Sequence, residues 1–189
     1  RSESASDTAR KRLPVPGAND GASGGELFVA LGDLLKRTTA RMVVDLLFVD
    51  GEDYGEFGPP DVDVLLGSKY FVEHLPEPGY QPLFGVLWDM IGDRDLKIEQ
   101  EANSLRAAPK VVTLVWETAR SLGYGNTFLP TEGLAITDDH IPFLEKGLHV
   151  IDVIDLDFPW HHTPDDTIDK VSSISLKIVG DVAWAMLAR

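Results

Sequence analysis

The chain contains no cysteine. Disulfides and thiolate metal ligands are therefore excluded, and any metal must be held by His, Asp or Glu. The absence carries little about compartment, because an exported protein need not contain disulfides. Basic residues are also scarce: 17 Lys and Arg stand against 31 Asp and Glu, a formal net charge of -14. That balance argues against nucleic acid and anionic membrane surfaces as partners and invites cations. No apolar run approaches the length of a transmembrane helix, so no membrane partner is expected. The first residue is Arg rather than Met and no signal peptide is recognisable, which reads as processing or truncation. What is present is 189 residues with 43% hydrophobic side chains, enough for one domain with a real core.

Residues 1–15 are polar and charged and are expected to form a flexible N-terminal arm, with the folded domain over 16–189. Leu27, Phe28, Leu31, Leu34 and Leu35 recur at helical spacing and predict a helix over 24–37. The apolar run 43–49 predicts a buried strand, followed by an acidic Gly/Pro-rich loop to Asp63. Further along, the pattern predicts a short helix over 65–74 and strands over 83–88 and 96–100. It also predicts an amphipathic helix over 109–122 with Pro in its first turn, and a short helix ending at Gly147. A strand over 150–154 and a closing helix over 174–188 complete the series. Strands alternating with helices indicate a three-layer α/β/α fold around a central, mostly parallel mixed sheet.

Several chemically capable residues fall after predicted strands or in turns, where an open α/β sheet binds its ligands. They are Glu52 and Asp53 after the 43–49 run, Asp89 after the second strand, Asp138 and Asp139, and the His161-His162 pair. Asp20 lies in the turn Pro16-Gly17-Ala18-Asn19-Asp20-Gly21. Adjacent carboxylates are costly to desolvate unless a cation or a proton sits between them. A His/Asp/Glu donor set with an open position is the pattern of catalytic zinc. Each residue also has a plainer reading. Asp20 suits an ordinary turn. Glu52 and Asp53 could join Asp61 and Asp63 in a calcium loop, although the spacing misses the EF-hand pattern. Asp138 or Asp139 could cap a helix. His74, His140 and His149 read as structural or surface residues, and Trp116 and Trp184 as core.

Four stretches resemble one known family, the zinc aminopeptidases that also include the glutaminyl cyclases. They are residues 16–24 (Pro-Gly-Ala-Asn-Asp-Gly-Ala-Ser-Gly), 48–53 (Phe-Val-Asp-Gly-Glu-Asp), 138–144 (Asp-Asp-His-Ile-Pro-Phe-Leu) and 162–171 (His-Thr-Pro-Asp-Asp-Thr, then Asp169-Lys170-Val171). Their order and spacing agree over nearly all of residues 13–189. The resemblance implies that Asp20, Asp53 and His162 are metal ligands and that Glu52 is the catalytic base or acid. It implies that Asp89 holds a second ion in two-metal members. In one-metal cyclases, Asp89 and Asp138 join Glu52 in a proton network, with Asp138 catalytic. Phe158, Trp160 and His161 are expected to contact substrate. One or two zinc ions, a peptide or N-terminal amino-acid substrate, and a secreted or periplasmic location are implied in the same way. Oligomeric state is left open.

The chain departs from the family pattern in three places. Asp53 stands where Glu is usual. The family's upstream His-x-Asp motif and the first strands around it lie outside the chain. His161 replaces the aromatic residue usual before the metal-binding His, with Trp160 one place earlier. The leading functional expectation is a zinc aminopeptidase in which Glu52 takes a proton from water and returns it to the leaving amine. The alternative is a glutaminyl-peptide cyclotransferase that forms pyroglutamate with one zinc. A third possibility is an inactive or partial fragment acting only with another chain.

Overall fold

A computed structural model describes residues 10, 13–38 and 42–187. The expected arm over 1–15 falls largely on residues 1–9 and 11–12, outside the described residues. The helices are α1 (Ala22–Leu35), α2 (Leu66–Glu73), α3 (Ala102–Ala107), α4 (Pro109–Ser121), α5 (His140–Glu145) and α6 (Ser173–Leu187). The strands are β1 (Gly85–Asp89), β2 (Ile98–Gln100), β3 (Phe128–Glu132) and β4 (Val150–Ile154). Among the described residues no helix is long and apolar enough to cross a membrane.

β1 pairs in parallel with β4, in the register Trp88 to Val153, and β2 pairs in parallel with β3. Parallel neighbours need crossover connections, and the intervening helices supply them. The side chains of β4 alternate between two different environments. Ile151 and Val153 enter the main apolar core with Leu27 and Leu31 of α1, Val112 and Val115 of α4 and Val179 and Val182 of α6. Asp152 points to the other face, against α3 and α5, where it is fully buried. Trp88 of β1 shares the main core, so strand alternation turns Asp89 toward the same side as Asp152.

α1 lies close on β1. A Cβ added at Gly24 would come within 2.3 Å of the Trp88 carbonyl oxygen, so the packing requires the missing side chain. α3, which the periodicity does not reveal, starts from a carboxylate cap: Glu101 accepts hydrogen bonds from the backbone N–H groups of Asn103 (2.8 Å) and Ser104 (2.6 Å). The same carboxylate accepts from the Ile136 N–H at 3.1 Å, which fastens α3 to the segment leading into Asp138. β3 is also absent from the pattern, because Pro130, Thr131 and Glu132 give it neither an apolar run nor clean alternation.

Residues 43–49 are not a strand, and that expectation is corrected. A ladder needs a neighbouring backbone about 4.8 Å away. Here the segment borders a cavity of ≈ 1000 Å³ that separates it from β1 and is lined by Phe28, Leu46, Phe48, Phe84 and Met186 among others. Among the described residues β1 has a ladder partner on one edge only. The segment is held at its far end by α2: the Leu65, Leu66 and Gly67 N–H groups donate to the carbonyls of Glu52 (2.9 Å), Gly51 (3.2 Å) and Asp50 (2.8 Å).

Two outcomes test these packing arguments. Gly24→Ala is expected to cost about 1–3 kcal/mol through overpacking against β1, read as a lower urea midpoint at unchanged slope. Glu101→Gln tests the cap. Burial alone would raise the Glu101 carboxyl, but the His140 imidazole 3.3 Å away and hydrogen bonds from the Asn103 and Ser104 amides outweigh it and hold the group at about 2. A depressed carboxyl stabilises the fold above its ordinary range and loses that contribution as pH falls through the folded value. The substitution should cost about 1.5–3 kcal/mol at neutral pH. Denaturant unfolding should show the difference from the parent shrinking as the pH approaches about 2.

Candidate metal and proton-transfer site

Five segments bring the acidic residues and histidines together: the turn before α1, the loop before α2, the C-terminal end of β1, the stretch before α5 and the loop after β4. Asp20 sits in the turn ahead of α1, and this turn is fixed by a residue the sequence did not single out. The fully buried Asp166 accepts hydrogen bonds from the N–H groups of Asn19 (2.8 Å) and Asp20 (3.0 Å). The Asn19 side-chain oxygen accepts from the Gly92 N–H at 2.7 Å, tying the same turn to the loop after β1. Ser23 donates to the Asn19 carbonyl (2.6 Å) and accepts from the Ile91 N–H (3.1 Å).

The first cluster combines imidazole and carboxylate donors. His162 Nε2 lies 2.8 Å from Asp53 Oδ2 and 3.5 Å from Asp20 Oδ2. His161 Nε2 lies 3.8 Å from the same Asp20 oxygen. Donor atoms of Asp20, His161 and His162 all fall within 4.8 Å of one another. Burial raises the Asp20 carboxyl, against the two histidines, which lower it. The hydrogen bond with His162 lowers Asp53. Two donor atoms sharing a zinc at bonds of 2.0–2.1 Å would sit about 3.4 Å apart in tetrahedral geometry. The Asp20–His162 separation of 3.5 Å meets this, and Asp53, 2.8 Å from His162, would have to exchange that contact for the metal. The donor set, rich in carboxylate and imidazole and free of thiolate, fits zinc.

The second cluster is carboxylate only. Glu52, Asp89 and Asp138 offer oxygens within 4.8 Å of one another. Glu52 is raised to about 10, first by burial and then by Asp138 and Asp89. Burial likewise raises Asp89 and Asp138. Three carboxyls at this spacing cannot all ionise without a cation, so they share protons. The structure thus places Asp89 with the proton-sharing group and not with the histidines. Asp138 accepts from the Asp139 N–H at 2.5 Å, and Asp139, raised by burial to about 6, accepts from Ser68 Oγ at 2.5 Å. Neither aspartate caps α5 with its side chain, which corrects the capping expectation for the pair.

Behind Asp138 runs a buried layer that sequence patterns could not reveal. Asp152 is raised well above its ordinary range by burial and then by the neighbouring carboxylates of Asp138, Asp89 and Glu101. His140, fully buried, lies 3.3 Å from Glu101 through Nε2 and 3.8 Å from Asp152 through Nδ1. Of the two plainer readings of His140, structural or surface, burial excludes the surface one. His74 is exposed and stacks on Tyr70. Asp61 accepts from the Gly58 N–H at 2.8 Å, and neither Asp61 nor Asp63 belongs to either cluster among the described residues, so the calcium-loop alternative has no donor set there.

The aromatic expectations divide. Trp160 is half-buried at the rim, with the Lys170 ammonium 5.0 Å from its ring centroid. Phe158 is buried in a small cluster with Met90 and Ile154, its ring 5.4 Å from that of Trp160. Phe158 is 3% exposed, so its ring packs beneath the loop that carries Trp160.

Comparison with known proteins identifies the family. The model of peptidase family M28 matches residues 5–187. Aminopeptidase YwaD of Bacillus subtilis is 29% identical over 182 residues, covering 90% of this chain and 37% of that protein. A Bacteroides thetaiotaomicron glutaminyl cyclase, solved bound to N-acetylhistamine, superposes with a TM-score of 0.86 at 32% identity, over 93% of this chain and 64% of that one. A Zn-dependent exopeptidase from Parabacteroides distasonis gives 0.88 at 30% identity, over 94% of this chain and 65% of that one. The chain thus spans less than two thirds of the length of these proteins. The family and the Zn-dependent neighbour imply zinc as the cofactor. By the match over nearly its whole length, by its α/β fold and by four ordered motifs, the chain belongs to peptidase family M28.

Proposed function

We propose that this protein acts on the N-termini of peptides with one zinc ion at Asp20, Asp53 and His162, and that its reaction is cyclisation of N-terminal glutamine. The observation that carries this reading is the separation of roles: Glu52 groups with Asp89 and Asp138, apart from the histidine cluster. Bound zinc supplies Lewis-acid polarisation of a carbonyl oxygen. The chain's own residues handle the protons. The substrate α-amine forms a bond to the side-chain amide carbon while the bond from that carbon to its nitrogen breaks. With the charge of a bound zinc nearby to offset the neighbouring carboxylates, Glu52 would ionise, take the proton that the amine releases and deliver it to the departing nitrogen, giving pyroglutamate and ammonia. Asp89 and Asp138 keep that proton within the group, because neither can ionise fully beside the other. The acidic rim draws in a positively charged peptide N-terminus.

A second reading, hydrolysis by an aminopeptidase, keeps the same residues. It is favoured by the likeness to YwaD and by the capacity of Glu52, Asp89 and Asp138 to hold a second cation. Glu52 then takes its proton from water and returns it to the leaving amine.

Two measurements separate and test these readings. Ammonia release from Gln-peptides, with no amine release from aminoacyl-anilides and one zinc per chain, supports cyclisation. Amine release with two ions per chain supports hydrolysis. In either case Glu52→Gln should lower kcat by about 10²–10⁴-fold while zinc content stays at the parent level. An active Glu52→Gln variant would remove Glu52 from the chemistry.

A further inference from the structure

The adjacent histidines carry an inference beyond the ligand set proposed above. Neighbouring side chains in an extended segment point to opposite sides. Here the His161 and His162 ring centroids are 3.9 Å apart, with the planes tilted by 39°. The backbone achieves this by placing His162 at φ 53, the left-handed region that residues with a Cβ rarely adopt. The turn around it is closed by hydrogen bonds from the His161 N–H to the Phe158 carbonyl (3.2 Å) and from the Thr163 N–H to the Trp160 carbonyl (3.0 Å). Strained backbone of this kind persists where the surroundings over-determine it and clusters at functional sites.

The consequence is that both Nε2 atoms face one carboxylate oxygen. The distances to Asp20 Oδ2 are 3.5 Å from His162 and 3.8 Å from His161. Both lie within a few tenths of an ångström of the roughly 3.4 Å expected for two donors on one zinc. His161 differs from His162 in exposure: its side chain is 41% exposed against 21%. It can therefore turn outward without leaving a buried void.

We propose that His161 is a displaceable fourth donor to the cation held by Asp20, Asp53 and His162. A site closed by four protein ligands has no open position, whereas a catalytic zinc keeps one for substrate. His161 would hold that position at rest and yield it when a substrate carbonyl arrives. Its role would then be to protect the ion and control access, in place of the substrate contact expected from its position in the loop. The inference rests on the reading of this cluster as a zinc site.

The test uses the full chain, loaded with zinc and separately with cobalt(II), and needs no turnover. Chelator competition gives the zinc affinity of the parent, of His161→Ala, and of His161→Phe, which keeps the ring contact with His162 but removes the donor. Loss of even an outer hydrogen-bond partner costs a metal site about 10–100-fold, so both variants should bind zinc at least about tenfold more weakly. The cobalt(II) visible spectrum should change in both, as a nitrogen donor gives way to water. His162→Ala, which removes a central donor, should lose more affinity than either. Unchanged affinity and spectrum in His161→Phe would overturn the inference and leave His161 as a substrate contact. A parent that binds neither ion would instead sink the reading of the site itself.

Discussion

The site depends first on a buried carboxylate that takes no part in the chemistry. Asp166 receives the N–H groups of Asn19 and Asp20 and so holds the turn before α1 against the loop that carries the histidines. Burying an ion is tolerated only when its lone pairs are satisfied, and two backbone donors do this. Asn19 extends the tie to Gly92, where an added Cβ would come within 3.0 Å of the Asn19 oxygen. Three chain segments far apart in sequence are thus tied together by hydrogen bonds from backbone N–H groups to side-chain oxygens. They hold Asp20 beside the loop that carries His162.

The second organising feature is the alternation of β4. Its apolar residues face the helices α1, α4 and α6, and Asp152 faces the opposite layer. That single buried carboxyl stands between Asp138 in front and His140 and Glu101 behind. Glu101 is itself fastened by the α3 amides. The proton-sharing group is therefore backed by a rigid polar layer, while the cation cluster sits at a more exposed rim. On the proposed reading, holding a cation and holding protons fall to two separate clusters. Glu52 reaches its cluster because the first N–H groups of α2 grip the backbone of residues 50–52.

Much of the fold was legible from periodicity. α1, α4 and α6 present one apolar stripe to a common core, and the 3.6-residue spacing records that stripe directly. β4 is buried on both faces, so it reads as an unbroken apolar run apart from Asp152. The failures have physical causes too. α3 has six residues, too few to display a period, and β3 carries Pro130 and two polar residues. The run 43–49 shows why an apolar stretch is not yet a strand: a ladder needs a neighbouring backbone, and among the described residues the run pairs with none.

The sequence by itself determined the donors and their chemistry. No thiol was available, the carboxylates fell in turns after apolar runs, and the four motifs came in the family's order. Those facts restrict the cation to oxygen and imidazole ligands, since side-chain chemistry does not depend on the fold. Only the tertiary structure decided which donors meet. It put Asp89 with Glu52 and Asp138, His161 beside His162 and Asp20, and Asp166 and Asp152 in supporting positions. Such contacts join residues separated by up to 147 positions, a distance over which local propensity carries no information.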